Sequence, residues 1–166
     1  MKVHSRQLYA ADFEQMRKIL FRDGPNEWNY ITDESIELQF QLIRDGKAIA
    51  VLAEKNEITG FAILIFKEAC PSKLSQHSHL STMAYINDVV VNINYSGKGI
   101  GSTLLQKAIE LAQKEQCEKV YIERHEENLA SAGMMRKASF QIIDTFYDPK
   151  KRTSGSRNTS LLVIST

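Results

Sequence analysis

A chain of 166 residues, 43% apolar and 25% charged, has the material for one hydrophobic core and needs no metal or disulfide framework to hold it. Its formal net charge of +1 supplies no basic field, which argues against nucleic acid or an anionic membrane as partner and towards a small-molecule enzyme. Cys70 and Cys117 match no zinc or redox spacing, and no apolar run suits a signal peptide or a membrane span, so a single cytoplasmic domain over 1–166 is expected.

Residues 2–8 read as a short first strand. Residues 11–21 carry Phe13, Met16, Ile19 and Leu20 at helical spacing, and Arg22-Asp23-Gly24-Pro25-Asn26 breaks that pattern. A second helix is expected from a cap at Thr32 or Asp33, burying Ile36, Phe40 and Ile43. Two strands, 48–54 and 59–66, flank the polar turn Lys55-Asn56-Glu57 as a hairpin. Residues 67–81 are polar, contain Pro71 and read as a long loop. The strongest strand pattern is 84–92, ending in Val89-Val90-Val91. A glycine-rich turn follows, then an amphipathic helix to about residue 116 through Ile100, Leu104, Leu105, Ala108, Ile109, Leu111 and Ala112. Residues 119–124 resume strand character and 128–138 a helix. Two strands, 140–147 and 160–164, joined by a basic loop, close the chain. The order β-α-α-β-β-β-α-β-α-β-β contains one connection that demands a parallel crossover. The fold class is therefore α/β: a mixed, mostly antiparallel sheet with helices on both faces, and the functional crevice lies near that crossover.

The turn Asn94-Tyr95-Ser96-Gly97-Lys98-Gly99-Ile100-Gly101-Ser102 stands between a buried strand and a helix. Its glycines let backbone amides approach an anion, and the helix start adds unpaired N–H groups with a partial positive charge. A pyrophosphate suits that environment. The P-loop register fails here, and the dinucleotide pattern fails because Ser102 stands where its last glycine belongs.

With this turn in that element order, the sequence resembles the GNAT superfamily of N-acetyltransferases, over nearly the whole chain and most sharply over 86–140. The family signature for its donor is Arg or Gln, two residues, Gly, one residue, then Gly or Ala. Gly99 and Gly101 fill the glycine positions, and Ser96 stands at the Arg/Gln position. A second pattern places Asn128, Lys137 and Phe140 in register, with Met135 where the family has tyrosine and Ser139 where it has glycine. The resemblance implies the GNAT fold, with acetyl-coenzyme A (acetyl-CoA) as co-substrate and no metal. It implies that the backbone of Ser96, Gly97, Lys98, Gly99, Ile100, Gly101 and Ser102 wraps the pyrophosphate. Asn128 is then a pantetheine ligand, a helix cap or both, and Lys137 is solvated or touches phosphate.

By the same resemblance, the Val89 N–H is the donor to the thioester oxygen and the Val91 backbone pairs with pantetheine. An amine must lose a proton before it attacks a thioester; Asp88 is the first candidate base, with Asn87 beside it and Glu123 on the next strand as the second. Met135 cannot donate a proton to a leaving thiolate. Tyr121, Tyr147 and Ser131 are the possible replacements, or the thiolate leaves unaided.

On the acceptor side, Glu27-Trp28-Asn29-Tyr30 offers an acid beside aromatics, which suits a cationic amine or plugs the core edge. His77 and His79 read as solvated loop residues. The basic run from Lys150 to Arg157 reads first as a solvated hairpin tip, and otherwise as a contact to an anionic acceptor group or a cofactor phosphate. The expected reaction is acetyl transfer to a primary amine of a small molecule. A protein or peptide acceptor, a CoA-binding sensor without turnover and an ATP-binding protein are the rivals. Dimerisation through the final strands is an option that the resemblance implies.

Overall fold

The computed structural model describes residues 1–24 and 28–166; Pro25, Asn26 and Glu27 of the predicted break and acceptor loop lie outside the described residues. The elements follow the expected order: β1 (Lys2–His4), α1 (Ala10–Asp23), α2 (Asp33–Arg44), β2 (Ala48–Lys55), β3 (Glu57–Phe66), β4 (Met83–Val91), α3 (Ile100–Lys114), β5 (Lys119–His125), α4 (Leu129–Lys137), β6 (Gln141–Tyr147) and β7 (Asn158–Ser165). The first strand is shorter than its pattern suggested. The segment between β3 and β4 is a chain of short 3₁₀ turns, Lys67–Ala69, Ser72–Gln76 and Leu80–Thr82, instead of an open loop.

Local chemistry explains several boundaries. The Thr32 hydroxyl accepts the Ser35 N–H and opens α2. Asn56, in the left-handed region at φ 65°, turns β2 into β3. The seven strands form one sheet in the order β1-β2-β3-β4-β5-β7-β6, antiparallel except for the β4–β5 pair. Alternation along β3 feeds two cores. Phe61, Ile63 and Ile65 face α1 and α2 with Met16, Leu20 and Phe40, while Ala62 and Leu64 join Leu104, Leu105 and Ala108 of α3. Helices thus cover both faces, as the GNAT fold requires. Among the described residues no helix is long and apolar enough to cross a membrane.

Candidate active site

Two irregularities open the middle of the sheet. Against β3, Ala62 pairs with Val89 but Ile63 pairs with Asn87, so Asp88 is an extra residue, a β-bulge. Asp88 has φ 53°, a left-handed conformation that aspartate tolerates better than most residues, at a cost of about 1 kcal/mol. On the other side, the parallel ladder with β5 runs only from Met83–Lys119 to Ile86–Ile122 and then stops. Beyond Ile86 the two strands part. The Asn92 N–H bonds the Thr59 carbonyl on the β3 side. Strand alternation then turns the Val90 N–H the same way, and directs those of Val89 and Val91 into the gap. A cleft of about 90 Å³ fills this gap, lined among others by Asn87, Asp88, Val89, Glu123, Asn128 and Met135.

The glycine turn lies at the end of β4. Gly97 and Gly99 both have φ 77°, and nothing lies within 4 Å of where a Cβ would stand on either. Gly99 is the N-cap of α3 and has no side chain to offer; the first helical bond runs from Thr103 N–H to the Gly99 carbonyl. The amides of Ile100, Gly101 and Ser102 are therefore the orphan donors of an uncapped helix start. Ser96 and Lys98 are exposed beside them, and Lys98 Nζ rests 5.5 Å from the Tyr95 ring centre. Gly101 serves packing: a Cβ there would stand 2.7 Å from Met134 Sδ on α4. A cavity of about 310 Å³ runs along the turn past Val91, Gly99, Ala130 and Ser131. It shares Ser131 and Met134 with the cleft in the sheet, so the two cavities adjoin between the helix mouth and the bulge. An open glycine cradle, unsatisfied amides and an adjoining slot fit a pyrophosphate with a long arm, the shape of acetyl-CoA.

Asn128 caps α4, its Oδ1 accepting the Ser131 N–H at 3.2 Å, and the residue also lines the cleft. Asn128→Ala should lose about 1 kcal/mol of stability with the cap. Asn128→Ser keeps a capping oxygen and should melt near the wild type. A donor KM raised equally in both marks the amide as a ligand; an unchanged KM leaves only the cap. Met135 is 3% exposed and belongs to the α3–α4 core, with one edge on the cleft. Lys137 is exposed and lines neither cavity. Ser139 has φ 73°, a conformation in which the family's glycine is at ease. Of the candidate proton donors, Tyr121 is buried against the Ser78 hydroxyl at 2.6 Å and Tyr147 is 65% exposed; Ser131 alone of the three lines the cleft.

The face towards α1 and α2 carries a network of charges. Gln39 Nε2 donates to Asp88 Oδ2 at 2.8 Å. Burial pushes the Asp88 carboxyl above its ordinary range; the Gln39 bond and the charges of Lys151 and Arg152 oppose this without cancelling it. The Glu123 side chain is 2% exposed and accepts from Tyr85 Oη at 2.8 Å and Lys73 Nζ at 2.9 Å, with Lys151 Nζ at 3.4 Å. Burial pushes Glu123 up, yet the charges of Lys151 and Lys73 outweigh it and hold Glu123 below the usual range. Burial and the Glu123 charge place the Tyr85 hydroxyl well above its ordinary value. Glu123 is thus a fixed anion with its lone pairs engaged, whereas Asp88 is the carboxylate that titrates upward.

Within the basic loop Lys150, Lys151 and Arg157 are exposed, in line with the solvated reading, and Arg152 departs from it. Arg152 is 4% exposed, its Nε donating to Thr159 Oγ1 at 2.8 Å and its Nη1 to the Trp28 carbonyl at 3.4 Å. A fully buried His125 pins this loop: its Nδ1 accepts the Glu127 N–H, which leaves the proton on Nε2 to reach the Ser154 carbonyl at 2.8 Å. Trp28 packs on the His125 ring with centroids 4.7 Å apart. Asn29 lines the cleft and Tyr30 is 68% exposed. No local pattern had singled out Tyr85, which lines the cleft, or Lys73, which reaches Glu123 on its wall; Lys151 and Arg152 line it too and belong to the basic run whose second reading is a contact to an anionic group. Among the described residues, no group of three or more metal-ligating side chains forms, His77 and His79 included.

The sequence model of the acetyltransferase (GNAT) family matches residues 13–140. Solved structures similar to the chain include an aminoglycoside acetyltransferase in complex with coenzyme A, 19% identical over 99% of this chain and 95% of that one, at a TM-score of 0.75. A ribosomal-protein-alanine N-acetyltransferase from Brucella melitensis is 20% identical over 98% of this chain and 99% of its own, at 0.74. An acetyltransferase from Bacillus subtilis in complex with CoA is 16% identical over 99% of both chains, at 0.72. At such identities the likeness is one of fold, and the match over 13–140 carries the assignment: the chain belongs to the GNAT family, N-acetyltransferases that draw their acetyl group from acetyl-CoA.

Proposed function

We propose that this protein, acting as one GNAT domain over 1–166, transfers acetyl from acetyl-CoA directly to the primary amine of a small molecule. The observation that carries this reading is the slot between β4 and β5, with an uncapped helix mouth at one end and the Asp88 carboxylate at the bulge. When bound, acetyl-CoA supplies the activated acyl group. The amides of residues 96–102 hold its pyrophosphate, Asn128 and the Val91 backbone hold its arm, and Val89 N–H faces the place where a thioester oxygen gains charge.

Asp88 accepts the proton of the incoming amine. Its raised affinity for protons brings it nearer the operating pH, which is what a base needs. Gln39 holds its position from α2. Glu123, fixed between two lysines and Tyr85, shapes the field without taking the proton. Ser131 is the hydroxyl available to a departing thiolate. Two of the similar structures have names that point to different acceptors, an aminoglycoside and a ribosomal protein. The narrow cleft, about 90 Å³ beside the bulge, favours a small amine.

The test is thiol release from acetyl-CoA with a panel of small primary amines and a matched panel of peptides. Turnover with at least one small amine is expected. Activity confined to peptides sinks the acceptor assignment, and donor binding without any turnover favours a sensor.

A further inference from the structure

We propose that the acceptor carries a carboxylate beside its amine, and that Arg152, assisted by Lys151, binds it; this rests on the acetyl-transfer reading above. A guanidinium removed from water is unfavourable unless an anion shares its site. Arg152 is 4% exposed, and among the described residues no carboxylate forms an ion pair with it. Its contacts are a hydroxyl and a carbonyl; Asp148 meets it only through Thr159, whose hydroxyl donates to Asp148 Oδ2 at 2.8 Å. The planar fork of an arginine matches a two-oxygen anion.

The rest of the cleft wall points the same way. Lys73 and Lys151 share the single carboxylate of Glu123, and three cations, Arg124, Lys151 and Arg152, line the cleft beside Glu123 and Asp88. Arg152 and Lys151 line the same cleft as Asp88, and both act on it through their charge. Amine and anion must therefore bind within one small recess, which selects molecules that carry the two groups close together. A polyamine or aminosugar would bring more positive charge towards three cations and is disfavoured. The loop bearing Arg152 is pinned through His125 and Trp28, so the fork is held in place before any ligand arrives.

The experiment pairs leucine, phenylalanine and β-alanine with leucinamide, phenylalaninamide and β-alaninamide as acceptors for the full chain with acetyl-CoA. Amides carry the less basic amine, so chemistry alone favours them. The expected result is a kcat/KM at least tenfold higher for the acids, with the ratio falling towards one in Arg152→Gln. Amides accepted as well as acids, or an unchanged ratio in Arg152→Gln, overturns the proposal and leaves acetyl transfer standing. Melting temperature is measured with the same six compounds. A rise with the acids alone, together with no turnover of any amine, keeps the carboxylate site and sinks acetyl transfer. Neither turnover nor a selective rise sinks both.

Discussion

Gly99→Glu should remove measurable acetyl-CoA binding. At φ 77° any side chain carries strain of about 1–2 kcal/mol. A carboxylate at the N-cap would also bond the orphan amides itself and repel a diphosphate. One such charge pair at 4 Å is worth about 4 kcal/mol at an effective dielectric of 20. The dissociation constant should rise by at least about a hundredfold, read by calorimetry. Gly46 supplies the control. It has φ 73° and equally open surroundings but lies in the turn after α2, so Gly46→Ala should carry similar strain without touching the donor. An affinity in Gly99→Glu equal to the wild type would remove the helix mouth from the site.

Asp88→Asn should lower kcat by about 10²–10⁴, the usual range for loss of a general base. Asparagine tolerates the left-handed bulge and keeps an oxygen for Gln39, so the fold should survive. The acid limb of the wild-type pH–rate profile should lie above the ordinary carboxylate range, because burial raises Asp88, and it should vanish in the variant. Stability should move the opposite way. A carboxyl raised on folding contributes stability below its unfolded value, and that contribution fades as pH rises through its folded value. At neutral pH the ionised Asp88 is therefore destabilising, and the variant should melt higher than the wild type, the difference shrinking in acid. An unchanged pH profile with full kcat would dismiss Asp88 as the base.

Most of the architecture was legible because it rests on periodicity and local chemistry. Alternation in β3, the helical stripe from Ile100 to Ala112, the Thr32 and Asn128 caps and the crossover between β4 and β5 all act over a few residues. The glycine turn was legible for the same reason. The bulge left a fainter trace, since the polar pair Asn87-Asp88 interrupts an otherwise apolar strand. The cleft wall left less, since the basic run 150–157 offered an anionic contact only as its second reading. Tyr85 in a buried strand reads as core, and Arg152 in a run of lysine and arginine reads as solvated. Their roles depend on Glu123 and Thr159 being folded against them. Tyr121 and Tyr147, plausible as proton donors by composition, are set aside only by the Ser78 contact of one and the exposure of the other.

The four rungs between Met83–Ile86 and Lys119–Ile122 have a mechanical consequence. At their lower end the seam is riveted: the Glu118 N–H reaches the Thr82 carbonyl at 2.7 Å, and the Cys117 thiol meets the Met83 carbonyl at 3.5 Å. The far margin has no ladder. Strands β5, β7 and β6 therefore stand to β1–β4 as one jaw of a pair of tweezers stands to the other, with the fulcrum at residues 82–86. A small rotation at the fulcrum changes the jaw spacing more with each residue beyond Ile86, so side chains packed along the gap from Asp88 to Val91 govern how tightly the jaws grip a thin, flexible arm.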